Sequence, residues 1–290
     1  MGLWLALFCA LFVGTGDVLS KLALQKSHER IVGFSRLLFS LPILGVVVWT
    51  KGIPPLTRPF WLTLLVMIPF ELSAYLLYLR ALRIAPLSLT IPFLAFTPVF
   101  TIVTSWILLG EQVSMGGAVG ILAVTFGAYL LHLDTVSKGW AAPLRALFRE
   151  RGSRLMIFAA FFYSITSNLG KRAIQLSDPF SFAFLYHLIN ATLLLGLIWY
   201  TRRGIGRLGK EMFSQWKIYL LLGPVIAFGF LAHCVGIAQV PVPYFISIKR
   251  TSLLVGVLVG GFLLKEQNLS QRLMAVSFMI LGVGLIVLFR

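Results

Sequence analysis

Apolar residues occupy long stretches of this chain, and short polar segments separate them. Because an α-helix rises 1.5 Å per residue, about 20 consecutive apolar residues cross the roughly 30 Å of hydrocarbon in a bilayer. A transmembrane β-barrel would instead show segments of about ten residues with alternating polarity. The pattern therefore predicts an all-α, polytopic membrane protein with ten transmembrane helices, which we call spans 1 to 10: 3–24, 31–50, 59–80, 86–109, 114–132, 155–176, 180–200, 216–236, 241–264 and 272–289.

Composition agrees with this architecture and limits the classes of partner that we expect. Hydrophobic residues make up 59% of the chain and charged residues only 12%, which excludes an ordinary soluble domain. The net charge of +16 would suit a nucleic-acid binder, but the basic residues lie in the short loops between spans. We therefore expect them to face anionic lipid headgroups, and we expect no nucleic-acid partner. No nucleotide, metal or haem motif is present, so we predict no cofactor, and the oligomeric state stays open.

The second half of the chain repeats the first. Distinctive residues coincide at an offset of 150 early in the repeat and at an offset of 155 later. The matched pairs include Phe12 with Phe162, Lys21 with Lys171, Trp49 with Trp199, Trp61 with Trp216, Pro69 with Pro224 and Pro86 with Pro241. We therefore predict a first five-helix repeat over 1–135, a basic connecting loop over 136–154 and a second five-helix repeat over 155–290.

Each repeat holds five spans, an odd number, so the second copy must be inverted in the membrane relative to the first. Inverted repeats are typical of secondary transporters, in which the substrate site lies near the bilayer midplane between the halves. The repeat thus predicts transport by alternating access and not an enzyme. Two further expectations concern packing: glycines in spans 5 and 10 favour a close helix contact, and 140–154 suits a short interfacial helix.

Two long segments at equivalent positions resemble a known family. The first is PLSLTIPFLAFTPVFTIVTSWILLGEQ at 86–112, and the second is PVPYFISIKRTSLLVGVLVGGFLLKEQ at 241–267. With the two-times-five arrangement and the Glu that closes spans 4 and 9, they resemble the drug/metabolite transporter superfamily, EamA type, along essentially the whole chain. The resemblance implies a transporter of small molecules, and members of the superfamily carry amino acids, nucleotide sugars, phosphorylated sugars or drugs.

Charges found in one repeat only are candidates for function, because scaffold positions tend to match in both. Lys249 and Arg250 occupy the positions of Leu94 and Ala95 in the first half. Lys249 lies about eight residues into span 9, hence roughly 12 Å deep, where an ionisable residue is costly. We expect the pair to bind an anionic group of the substrate. The pair also resembles the Lys-Arg pair that plastid phosphate translocators carry on their ninth helix.

A second polar stripe lies on span 3. Glu71, Tyr75 and Tyr78 share one helix face, which we expect to line the same cavity. Glu71 is predicted to be the counter-ion of Lys249 and Arg250 when the site is empty, or a coupling site for protons.

Other polar positions complete the candidate site. The remaining substrate-binding candidates are Tyr244, Ser247, His187 and Asn190, and the gating or coupling candidates are Arg36, Asp17 and Lys21. Asp17 precedes Lys21 by four residues, which predicts a local ion pair. His233 is expected near the membrane interface. We predict no catalytic residue and no metal ligand.

Charge in the loops predicts the orientation. The loops after odd-numbered spans hold 17 of the 25 Lys and Arg residues, and the loops after even-numbered spans with the C-terminus hold 5. By the positive-inside rule both termini face away from the cytoplasm, in what we expect to be a bacterial inner membrane.

Three alternatives stay open at this point. A flippase for a lipid-linked anionic sugar would also need an anion site and basic loops. An intramembrane lipid-modifying enzyme would need a nucleophile or a metal site, and the sequence offers no convincing set of residues. A passive structural subunit would leave the deep cations without a purpose unless both are salt-bridged.

Overall fold

The computed structural model of the chain describes residues 1–85, 93–131, 150–200, 205–255 and 269–289. Within these ranges all regular secondary structure is helical, as the apolar pattern predicts. The described helices are α1 (Gly2–Leu24), α2 (Glu29–Lys51), α3 (Arg58–Ile84), α4 (Thr97–Leu109), α5 (Met115–Leu131), α6 (Arg151–Gln175), α7 (Pro179–Tyr200), α8 (Ile205–Ser214), α9 (Trp216–Ile237), α10 (Val242–Lys249) and α11 (Leu269–Phe289).

Most of the predicted spans coincide with these helices. Helices α1, α2, α3, α7 and α9 are long and apolar enough to cross a membrane, and α4, α5 and much of α11 are shorter apolar helices. Helix α6 has the length of a span but carries basic residues near both ends, such as Arg154 and Lys171.

Helix α8 lies in a segment that the sequence pattern leaves as a loop. It is amphipathic: Leu208 and Met212 pack against the apolar cluster of α2 and α7, whereas Arg207 and Lys210 are exposed. Ten residues are too few for a span, so the apolar pattern alone does not reveal it. Of the interfacial helix predicted at 140–154, residues up to 149 lie outside the described part, and α6 begins at Arg151.

The duplication is visible in the packing of the helices. Helix α1 packs against α9 as its counterpart α6 packs against α3, and the equivalent pairs α2 with α7 and α5 with α11 pack on each other. A Cβ on Gly120 of α5 would lie 2.8 Å from the carbonyl oxygen of Gly282 on α11. The close glycine contact expected between spans 5 and 10 is therefore confirmed. The two halves interlock, and a central space remains between them.

Span 9 is broken at the Lys-Arg pair, where the sequence predicts a continuous helix. Helix α10 ends at Lys249, Arg250 and Thr251 form a turn, and helix resumes at Ser252. At the turn the backbone N–H of Arg250 is shared between the carbonyls of Ile246 at 3.2 Å and Ser247 at 3.0 Å, and the N–H of Thr251 bonds the Ile248 carbonyl at 3.0 Å, an i to i−3 bond of the 3₁₀ type.

Span 4 carries the same kind of break. Ala95 and Phe96 form a turn before α4 begins at Thr97, and the repeat offset of 155 relates them to Arg250 and Thr251. The Phe96 N–H bonds the carbonyl of Phe93 at 3.3 Å, again from i to i−3. Discontinuous helices at corresponding positions of two halves are typical of transporter binding sites.

Glu111 joins the two halves at the end of the bundle that contains Met1, which we call the Met1 end. Its Oε1 accepts a hydrogen bond from Lys171 Nζ at 2.6 Å, and its Oε2 accepts from Ser105 Oγ at 2.5 Å and from the backbone N–H of Val242 at 2.8 Å. Lys171 Nζ also donates to the Val240 carbonyl at 2.7 Å. One carboxylate thus connects α4, α6 and the first turn of α10.

The repeat counterpart of Lys171 lies at the opposite end. Lys21 Nζ donates to the carbonyls of Leu82 at 2.5 Å and Ala85 at 3.4 Å, at the end of α3. The predicted Asp17–Lys21 ion pair is wrong, because Lys21 turns toward these carbonyls at the helix end. Residues 263–267, the counterpart of the LLGEQ motif, lie outside the described residues.

Candidate functional site

A cavity of about 200 Å³ lies between the two halves. Seven helices, Leu94 ahead of the turn before α4, and Arg250 in the turn after α10 enclose it. Its lining combines charged, phenolic and apolar side chains, namely Val13, Asp17, Arg36, Leu37, Met67, Glu71, Tyr75, Tyr78, Leu94, Tyr163, Thr166, Ser167, Gly170, Phe182, Tyr186, His187, Ile226, Phe230, His233, Lys249 and Arg250.

The cavity follows the symmetry of the repeat. Most of its lining residues form equivalent pairs at offsets 150 and 155: Val13 with Tyr163, Asp17 with Ser167, Arg36 with Tyr186, Leu37 with His187, Glu71 with Ile226, Tyr75 with Phe230, Tyr78 with His233 and Leu94 with Lys249. The same face of each half therefore lines the cavity, but with different chemistry. Four of these paired side chains carry a formal charge, and none of the four has a charged counterpart in the other half.

Lys249 and Arg250 line the cavity at the end of α10. Arg250 is 5% exposed, and its Nη2 donates to Thr97 Oγ1 at 2.9 Å, while its buried Nε has no hydrogen-bond partner. Lys249 Nζ lies 3.4 Å from His233 Nδ1. Within the described residues no carboxylate oxygen lies within 4 Å of either cation. Both cations therefore enter the cavity without an anionic partner.

The two carboxylates of the cavity are held by tyrosines. The Tyr186 hydroxyl of α7 donates to Glu71 Oε1 on α3, and the Tyr78 hydroxyl donates to Asp17 Oδ1 at 2.5 Å. Glu71, the predicted counter-ion, makes no direct ion pair with Lys249 or Arg250, although its charge interacts electrostatically with that of Lys249. A phenolic O–H from the facing helix satisfies the carboxylate, so Glu71 needs no contact with the cations.

A third cation, Arg36 on α2, lines the cavity from the first half. Its guanidinium carbon lies 5.8 Å from the centroid of the Tyr75 ring, a cation–π distance. Its Nε and Nη1 are buried and have no hydrogen-bond partner. The Tyr75 hydroxyl itself donates to the Gly33 carbonyl at 3.1 Å.

Aromatic rings from the second half form one wall of the cavity. The rings of Tyr186 and Phe230 stack at 4.6 Å between centroids, and Phe230 and His233 stack at 5.6 Å. His187 meets the Phe230 ring edge-on at 4.7 Å, and its Nδ1 lies 2.9 Å from the Ala183 carbonyl. His233 therefore lies in the cavity, and the expectation that it sits at the membrane interface is wrong.

Three predicted substrate contacts are not among the cavity residues. The Tyr244 hydroxyl accepts from the backbone N–H of Ser114 at 3.0 Å and lies against Gly117 of α5. Asn190 donates to the Tyr186 carbonyl of its own helix at 2.9 Å, and Ser247 is fully buried. All three are buried outside the cavity lining, and Tyr244 faces α5. Of the gating candidates, Arg36 and Asp17 line the cavity and Lys21 does not.

Sequence reasoning missed several lining residues, notably Tyr163, Tyr186 and His233. The repeat contained a signal for two of them, since Tyr186 is the counterpart of Arg36 and His233 is the counterpart of Tyr78. Thr97, which holds Arg250, follows the helix break that the sequence did not predict. No group of three His, Cys, Asp or Glu side chains in the described residues is arranged to hold a metal ion.

Comparison with known proteins identifies the family. The model of the EamA-like transporter family matches residues 1–133 and 151–288. A protein of known crystal structure shares the fold with a TM-score of 0.77 over 98% of this chain and 96% of its own, at 15% sequence identity. No curated protein sequence matches this one at a significant level. The chain therefore belongs to the EamA-like transporter family and is a multi-pass integral membrane transporter of the drug/metabolite type.

Proposed function

We propose that this chain is a secondary transporter that moves a small organic metabolite with an anionic group by alternating access. The observation that supports the proposal is the state of Lys249 and Arg250, which line the cavity between the halves and have no carboxylate within 4 Å. Keeping unpaired cations in this position is costly unless a ligand completes the site. An arginine fork and a lysine point charge suit a carboxylate or a phosphate.

Contacts that join the two halves offer a way to couple binding to movement. Glu71 of the first half accepts from Tyr186 of the second at the cavity, and Glu111 accepts from Lys171 at the Met1 end. A ligand shifts a conformational equilibrium only by its differential affinity for the two states. An anion bound between the halves favours the conformation in which both walls reach it. Protonation of Glu71 would change the Tyr186 contact, which makes Glu71 the coupling site of this proposal.

A thermal-stability screen of the purified protein tests the anion site. A specific ligand raises the free energy of unfolding by RT ln(1 + [L]/Kd), about 2.7 kcal/mol at 100 times Kd. Carboxylates or phosphorylated sugars are expected to stabilise the parent, whereas amino acids without a side-chain charge and organic cations are not. Arg250→Gln is expected to lose most of the effect. The matched control is Arg207→Gln, which removes an exposed arginine of α8.

Transport in proteoliposomes completes the test. The anion that stabilises the protein is expected to enter vesicles that contain the parent or Arg207→Gln, and not vesicles that contain Arg250→Gln. Equal stabilisation of the parent and Arg250→Gln by neutral or cationic ligands would make Lys249 and Arg250 structural residues and would refute the proposed substrate class.

The orientation is part of the proposal and has its own test. The charge bias favours both termini outside the cytoplasm of a bacterial inner membrane. Both native cysteines are buried, so a single introduced cysteine is expected to report its own side. A membrane-impermeant maleimide is expected to label Thr50→Cys at the Met1 end in intact cells, and Ser214→Cys of α8 only after permeabilisation. The reverse pattern would show that the termini are cytoplasmic.

A further inference from the structure

The unmet hydrogen-bonding capacity of the cavity lies in its donors. Among the described cavity residues, the buried polar side-chain atoms without a partner are Nε and Nη1 of Arg36 and Nε of Arg250. No carboxylate oxygen of Asp17 or Glu71 is in this state, because tyrosine hydroxyls donate to both carboxylates. A buried donor without an acceptor is destabilising. A ligand that satisfies the cavity must therefore be rich in acceptors.

These donors belong to different halves of the chain. Arg36 is on α2 of the first half, and Arg250 follows α10 of the second half, next to Lys249. All three cations interact electrostatically with Asp17, which places their charges around one region. An arginine stays protonated at any physiological pH, so burial cannot remove its charge by releasing the proton. One monoanion on Lys249 and Arg250 leaves Nε and Nη1 of Arg36 without an acceptor.

We propose that the substrate carries two anionic groups, one bound by Lys249 and Arg250 and the other by Arg36. This inference rests on the proposed function and names the substrate class of the same site: a small dianion such as a dicarboxylate or a phosphorylated carboxylic acid. The two carboxylates that line the same cavity, Asp17 and Glu71, already accept tyrosine hydroxyls, so the acceptors that the guanidinium groups lack must come from the ligand. The dianion then contacts both halves, and Arg36 of the first half binds the second anionic group.

A series of ligands with one carbon skeleton tests the second charge. Succinate, butyrate and 4-aminobutyrate share a four-carbon chain with one terminal carboxylate, and the other terminus is anionic, neutral or cationic. The pair 3-phosphoglycerate and glycerate repeats the comparison with a phosphate. In the parent we expect each dianion to bind at least about tenfold more tightly than its monoanion, as a charge-assisted hydrogen bond allows. Dissociation constants are measured by thermal shift and by competition in transport.

Arg36→Gln is the decisive variant. It is expected to bring the dianion to within about twofold of the monoanion, and continued binding of the monoanion shows that the protein is folded. Arg36→Lys serves in place of Arg36→Gln if the latter is unstable, since it keeps the charge and loses the fork. Arg207→Gln on α8 controls for the loss of an arginine elsewhere and is expected to keep the full preference.

The other outcomes separate this inference from the proposed function. Equal binding of succinate and butyrate, and of 3-phosphoglycerate and glycerate, in the parent would refute the second charge and leave the single-anion site intact. Tightest binding of 4-aminobutyrate would also refute it, and would indicate that Asp17 or Glu71 binds an ammonium group. Failure of every anion to bind at millimolar concentration would refute the proposed function together with this inference.

Discussion

Glu111→Ala is expected to lower the free energy of unfolding by about 3–5 kcal/mol, the usual result of removing one partner of a buried ion pair. Its carboxylate accepts from Lys171, from Ser105 and from the N–H of Val242 at the start of α10. The Lys171 side chain is only 7% exposed, so the substitution leaves a buried ammonium with a backbone carbonyl as its remaining partner. Thermal unfolding of the purified protein in detergent measures the loss.

A double-mutant cycle shows whether the loss comes from this network. Lys171→Met in the Glu111→Ala background removes the stranded charge, so the double variant is expected to be more stable than the two single losses predict. Glu150→Ala removes an exposed carboxylate beside α6, and its thermal midpoint is expected to equal that of the parent. Additive losses in the cycle, or an unchanged Glu111→Ala, would show that Glu111 does not stabilise the contact between the halves.

Gly223→Val is expected to prevent α2 and α9 from packing as they do here. A Cβ at Gly223 would lie 2.3 Å from the carbonyl oxygen of Phe39 and 2.6 Å from its carbonyl carbon. The backbone of α2 cannot give way as a flexible side chain would, so the two helices must separate. Overpacking in a core costs about 1–3 kcal/mol and occasionally more. We expect a lower thermal midpoint and a smaller yield of folded protein.

Gly196→Val is the matched control for this substitution. Gly196 lies within α7, and a Cβ there would meet no heavy atom within 4 Å. The same residue change in a similar helical setting is therefore expected to leave the thermal midpoint close to that of the parent. Equal effects of the two substitutions would mean that valine acts through the helix itself, and the argument from close contact would be wrong.

The sequence predicts the architecture well because the duplication shows each half of the fold twice. Pairs such as Trp61 with Trp216 define the offset, and the odd number of spans per repeat requires inversion. The same offsets also relate most of the residues that line the cavity. Asymmetric charges point to the site for a physical reason, since a deep cation has no role in a scaffold whose other copy does without it. Lys249, Arg250, Glu71 and Arg36 all lie in the cavity.

Details of the site depend on directions that a span does not specify. The position of a residue along a helix does not tell which face its side chain occupies. The sequence therefore predicts His233 at the membrane interface, whereas in the structure it contacts Lys249. The partner of Glu71 depends on the facing helix α7, whose Tyr186 has no charge to mark it. Tyr244 shares α10 with Lys249 but faces α5. At about 100° per residue, five residues along a helix leave the two side chains pointing about 140° apart.

The breaks at Ala95–Phe96 and at Arg250–Thr251 have a mechanical consequence. At both places i to i−3 hydrogen bonds already replace part of the regular helical pattern. Bending an intact helix breaks backbone hydrogen bonds in a medium that offers no water to replace them. At these two turns the regular hydrogen bonds are already partly replaced, so bending there would break fewer of them. The duplication relates the two turns to each other. Each half thus contains a turn beside the cavity at which bending would break fewer regular helical hydrogen bonds than elsewhere in the span, and the proposed alternating access would use these two turns as its hinges.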